Sequence, residues 1–417
     1  MTNDSHQNID FSLAYYSSDR KKGSITLLNR KNGQIDKVSI NVTAGTDSEA
    51  HLKPIFVGIA EDKKIVLLDP QTKEIMFESH FPEDAFAAHL YEDPGSNRGW
   101  FMNDGDKATG NDVLNCGDKG SSVTVIENPG SSSAKYLKTI CVGRGHHQAT
   151  FSYPSDEHPE TPKQAYISNL KDGTVTVINN DPQSEKFLTV VATIDLCEPE
   201  KEDNPTQTIP NNAFPHGLTF SGVSGKLYNL NNGYGTIAII NPVTCEIEKR
   251  IDFKGHSNLF LAPSGEFVIG RGADRKSDEE HVIAKLTVLD VKTNEIKDML
   301  DIRDVYISKY FFNPEGTRLY LTTSSSGSDK QKENLKTDAL LVFDITALPE
   351  LKLINEVRLG SSTGTLDFHV QDGQSQLMFS SNAADGAVLI CNPDTGEVLE
   401  KIEVAEANTH SRLWCLV

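Results

Sequence analysis

The chain has 417 residues, with 40 Lys and Arg against 59 Asp and Glu, a formal net charge of −19. That excess of acid repels nucleic-acid phosphates and anionic bilayers, so neither is expected as a partner. No apolar run reaches the roughly 18 residues a spanning helix needs, so no membrane segment is expected.

The first residues, MTNDSHQNIDF, carry neither a basic region nor an apolar run of the secretory kind. The expected compartment is therefore the cytoplasm, or the periplasm for a chain whose leader has been removed. The cysteines (116, 141, 197, 245, 391 and 415) are scattered with no C-x-x-C, and they read as mostly reduced core thiols.

From the first strand onward one order of parts recurs. A β-rich run such as FSLAYYSS (11–18), PIFVGIA (54–60), GWFMND (99–104), AYISN (165–169), KLYNLN (226–231), EFVIG (266–270), RLYLTT (318–323) or QLMFSS (376–381) comes first. A second run follows each, as in GSITLLN, KKIVLLDP, SSVTVIEN, GTVTVINN, GTIAIINP, KLTVLDV, ALLVFDI and GAVLICNP. A turn such as KNGQ, KTNE or DTGE then leads to a last strand such as IEKRIDF or VLEKIEV. Short β-branched runs punctuated by Asn-Gly, Asp-Gly and Asn-Pro are strand and turn signals, and no stretch has a helical period.

A four-stranded unit repeating every 40–50 residues is the mark of a β-propeller blade. The expectation is an all-β fold: a single β-propeller over 1–417, with eight four-stranded blades, or seven if 10–41 or 51–81 is irregular. The first strand of each blade is the weakest in sequence, clearest in GLTFSGVSGK (217–226), NLFLAPSGE (258–266), KYFFNPEGT (309–317) and LDFHVQDGQ (366–374). The chain begins at a second strand and ends on an unpaired one, HSRLWC (410–415), so the C-terminal strand is expected to complete the first blade and close the ring. Polar insertions at 103–121, 198–212 and 324–338 read as surface loops.

The histidines are placed more regularly than chance would place them. His89, His146, His147, His216, His256, His369 and His410 are each expected at or near the start of a first strand, with His51 a further candidate. Those starts converge on one mouth of the channel, and several imidazoles aimed at one axis would suit a transition metal. Asp367 is a candidate to orient a ligating ring. The alternative is structural: Gly-His at a strand entrance, as in Gly145-His146 and Gly255-His256, also ties a loop to neighbouring strands in propellers. No Walker loop, G-x-S-x-G elbow or H-E-x-x-H helix is present, so no catalytic residue is assigned.

The strand language resembles the YVTN-type propeller family, most closely in AYISNLKDGTVTVINN, KLYNLNNGYGTIAIINP and LMFSSNAADGAVLICNPDTGEVLEKIEV. The His-His pair, the tripeptide Pro215-His216-Gly217 and the histidine beside the last strand are similar to the copper-binding propeller of nitrous oxide reductase. That resemblance implies a metal centre built from His89, His146, His147, His216, His256, His369 and His410, with copper favoured over iron or zinc. It implies a metal-dependent oxidoreductase acting on a small-molecule substrate. The chain has no cupredoxin domain, so an external electron carrier would be needed. The alternatives are a non-enzymatic YVTN-type binding or scaffold propeller, and a metal-dependent lactonase or hydrolase.

Overall fold

The computed structural model describes residues 5–18, 22–43, 55–59, 64–68, 75–80, 87–103, 116, 121–129, 133–204, 206, 208–360 and 363–416, without the side chains of 5, 18, 22, 23, 40–43, 55–80, 87, 88, 146 and 147. The β-branched runs form antiparallel strands that pair with their sequence neighbours, and these gather into seven four-stranded sheets and one three-stranded sheet. We letter them A to H in chain order.

Blade A joins Phe11–Ser18, Lys22–Lys31 and Gln34–Thr43 to the C-terminal strand His410–Cys415. Sheet B has the strands Ile55–Ile59, Lys64–Leu68 and Ile75–His80. Blade C runs from Ala87–Glu92 to Lys135–Cys141, and D from His146–Ser152 to Val190–Asp195. E runs from Pro215–Ser221 to Ile247–Asp252, and F from His256–Leu261 to Glu295–Arg303. G runs from Ile307–Phe312 to Lys352–Arg358, and H from Thr363–Gln371 to Val398–Glu403. The fold is thus the expected all-β propeller. Its complete four-stranded blades number seven, and the 51–81 stretch named as the irregular alternative supplies three strands. The place of a fourth, with His51, lies outside the described residues.

Closure is as expected. His410–Cys415 pairs antiparallel with Phe11–Ser18, from Leu13 opposite Cys415 to Ser18 opposite His410, and its other side faces the first strand of blade H. The first strands of C and D, of D and E, and of E and F lie beside one another around the channel.

The core sits between blades. Phe260, Leu286 and Val288 of F pack on Leu319, Leu341 and Phe343 of G, while Leu13 and Leu413 of A pack on Phe379 and Val388 of H. The second strands of D, E and G are buried almost throughout, while the outer strand of G is mostly exposed. Buried tyrosine hydroxyls find partners across the seams: Tyr228 donates to the Val291 carbonyl at 3.1 Å and Tyr320 to the Pro393 carbonyl.

The cysteine reading needs one correction. Cys116 and Cys141 form a disulfide, 25 residues apart, tying a loop to the outer strand of blade C. Cys141 is an exposed position at a strand end, so its neighbour in space comes from the loop and leaves no spacing signature in sequence. Cys197, Cys391 and Cys415 are buried free thiols, as expected of core positions.

Candidate functional site

From blade C to blade H each first strand enters the channel through a bulge. The register slips between Ala87 and His89, His146 and Ala149, Pro215 and Gly217, His256 and Asn258, Ile307 and Tyr310, and Thr363 and Leu366. A bulge re-aims consecutive side chains that a regular strand would send to opposite faces. The backbone departure that adjacent His146 and His147 would need to share one ligand is therefore present. Their side chains lie outside the described residues.

The described histidines divide. His256 is buried, with Nδ1 against the Phe253 carbonyl at 3.3 Å, Nε2 against Thr287 Oγ1 at 2.8 Å, and its ring 4.1 Å from that of Phe253. Both nitrogens are engaged within blade F, which is the structural Gly-His arrangement. His369 does not stand at a strand start. Its strand begins at Thr363, so His369 falls near the far end opposite Leu377, where it is buried. His216 directs Nδ1 to the Ser257 carbonyl at 2.5 Å, so that nitrogen carries the proton. Burial holds the His216 ring below its ordinary range; the Ser257 carbonyl opposes this, and the charges of Arg271 and His89 add to it. His410 keeps Nδ1 2.8 Å from Thr409 Oγ1. Among the described residues no three His, Cys, Asp or Glu side chains gather in a way that could hold a metal ion. The described residues thus do not form the expected multinuclear centre.

His216 also belongs to a different series. The first strand of a blade is a sheet edge, and its outward N–H and C=O groups need partners. Gln148 Oε1 of D accepts from Leu218 N of E at 3.0 Å, and Thr150 Oγ1 from Phe220 N at 3.2 Å. His216 of E donates to Ser257 of F, and Arg271 Nη1 of F to the Ile307 carbonyl of G at 3.0 Å. Lys309 Nζ of G donates to the Gly364 carbonyl of H at 2.8 Å. Thr365 Oγ1 and Asp367 Oδ2 of H accept from Leu413 N and Cys415 N of A at 2.8 and 2.7 Å. From D round to A, a polar side chain on each blade satisfies the inner edge of the next. Asp367 is one of these ties.

At the mouth between G, H and A the same strands border a pocket of about 370 Å³. Serine and threonine predominate in its wall, among them Ser308, Ser324, Thr337 and Ser411, and Lys309, His410 and Arg412 supply its charge-bearing groups. None of its described lining residues is a carboxylate. Gly364 forms part of the wall because the strands meet too closely for a side chain; a Cβ there would stand 2.1 Å from the Ser411 carbonyl oxygen. Of the expected site residues this pocket contains His410 alone. Arg412 and Ser411 escaped sequence reasoning because they sit inside the closing strand, where their alternation with Leu413 reads as ordinary strand patterning.

The opposite ends of first strands C, D and E border a larger cleft of about 480 Å³, with Tyr91, Phe151, Tyr153, Phe220 and two prolines in its wall. Tyr153 is fixed there by Asp93, whose carboxylate lies 2.5 and 2.7 Å from the phenol, and by Asn180 at 3.1 Å. Its convergent polar groups serve each other, so of the two concavities the smaller one has the character of a ligand site.

No family model matches the chain, and no curated protein matches its sequence. Solved structures do match in fold. A protein from Lactobacillus plantarum is 11% identical with a TM-score of 0.51, covering 97% of this chain and 100% of that one. A putative 6-phosphogluconolactonase from Bacteroides uniformis is 12% identical with a TM-score of 0.51, covering 97% and 99%. At these identities the likeness is one of fold.

Proposed function

We propose that this chain is a small-molecule-binding β-propeller whose site is the channel-mouth pocket between blades G, H and A. The observation that carries this is the convergence of Lys309, His410 and Arg412 with serine and threonine hydroxyls on one concavity of about 370 Å³. Ligand pockets are typically roughly 300–1,000 Å³, with a few placed polar groups that orient the occupant. Among the described lining residues none is a carboxylate that could serve as a general base, which favours binding over a lactonase-type hydrolysis.

A panel of polar metabolites scanned by thermal shift tests this. A ligand at about 100 times its Kd should stabilise the protein by about 2.7 kcal/mol. Ser324→Trp, placed at the half-buried rim to fill the pocket, should abolish the shift without lowering the unliganded melting temperature. A shift that survives in S324W, or a panel with no binder, refutes the assignment.

A second reading keeps the metal. His216 on blade E feels the charge of His89 on blade C, and the bulged entrance of His146–Ser152 on blade D lies between those blades. A site confined to His89, His146, His147 and His216 would use copper, zinc or iron as a Lewis acid or redox ion. Elemental analysis of untagged protein decides it: at least one equivalent of metal, reduced by His216→Ala, supports the site, and metal-free protein indifferent to chelator excludes it.

A further inference from the structure

We infer that the occupant of the G–H–A pocket is an oxyanion, a phosphate or a carboxylate, carried on a small polyhydroxylated frame such as a sugar; this rests on the pocket being the binding site. The chain carries a net charge of −19, yet this concavity presents Lys309 and Arg412 with no acid among its described lining residues. Such a local reversal of field concentrates anions.

The guanidinium is under-used within the protein. Among the described residues Arg412 Nη1 reaches the Ser411 carbonyl alone, at 3.4 Å, and its buried Nε has no hydrogen-bond partner. Buried donors without acceptors are costly and uncommon, and a guanidinium fork matches two oxygens of one phosphate or carboxylate. Lys309 is fixed against the same wall by its bond to the Gly364 carbonyl, so its charge is positioned before any ligand arrives.

The remainder of the wall identifies the frame. Hydroxyls both donate and accept, which suits the hydroxyls of a polyol. None of the described lining residues is aromatic, so a nucleobase would find no ring among them to stack on. The volume lies at the small end of ligand sites, which fits a monosaccharide-sized molecule.

Calorimetric titration of the full chain with a hexose 6-phosphate, the neutral hexose and inorganic phosphate separates the parts. The hexose phosphate should bind at least about tenfold more tightly than either fragment, and Arg412→Gln should weaken it by at least about tenfold, as expected for loss of a charged hydrogen-bond pair. Arg412→Lys should recover part of that loss. Should R412Q melt early, the unmodified protein decides: raising NaCl from about 20 to about 300 mM must weaken the complex severalfold, and sulfate must compete. Neutral hexose binding as tightly as its phosphate, with no salt dependence, overturns the oxyanion while leaving the pocket. If none of these probes binds but S324W still blocks another ligand, the inference falls and the binding reading stands.

Discussion

His216 and His256 are held as neutral rings, and neutrality is part of how they stabilise the fold. Burial lowers the pKa of both below the ordinary 6.5. The unfolded chain then binds protons that the folded one refuses, so stability present above about pH 6.5 is lost as pH falls through that value. The expected outcome is a melting temperature that drops between about pH 7.5 and pH 5, with a shallower drop in a His216→Asn, His256→Gln double variant. An unchanged slope would show that carboxylates account for all of it. His256→Ala removes two ring hydrogen bonds and the Phe253 contact, and should cost about 2–4 kcal/mol in a denaturant melt. His256 was legible in the sequence as a Gly-His entrance. His369 was not, because the Thr363-Gly364-Thr365 start of its strand is polar and close-packed against the neighbouring backbone and reads as loop. Its true strand is three residues longer at that end than the apolar pattern indicates.

At the scale of the element, second and third strands announce themselves and first strands do not. The terminal Asn of the second strand, as in Asn103 and Asn169, donates to Ser or Thr on the third strand, Asn169 to Thr174 and Thr176 at 3.0 and 2.9 Å. That local pairing is one reason an Asn recurs at the end of second strands, as in Asn103 and Asn169. First strands instead carry Gln148, His216, Lys309 and Asp367, unlike residues that all do one thing: each satisfies the backbone of the next blade. Any side chain with the right donor or acceptor serves, so no sequence pattern is imposed. Thr365→Val tests the element directly, since it strips the acceptor from Leu413 N without changing shape. The expected cost is about 1–3 kcal/mol, the penalty of an unsatisfied buried amide. A urea midpoint equal to that of the unmodified protein would show that the amide finds another partner.

For the whole molecule, the closing strand His410–Cys415 does three jobs at once. It completes the ladder of blade A, donates its own amides to Thr365 and Asp367 on the inner edge of blade H, and places Arg412 and Ser411 at the pocket. Leu413 and Cys415 also enter the core shared by blades A and H, beside Leu13, Phe379 and Val388. Removing 409–417 therefore opens a sheet edge and a seam core together, and neither loss can be repaired by the strands that remain. The shortened chain should lose its cooperative transition by circular dichroism, and a melt with the midpoint of the full chain would refute closure by this strand. Because the ladder is formed by a contiguous six-residue strand, a synthetic peptide of 409–417 added in trans should restore both the transition and ligand binding, each saturating at the same peptide concentration. Recovery of folding without recovery of binding would separate ring closure from the pocket, and would place the ligand elsewhere on the propeller.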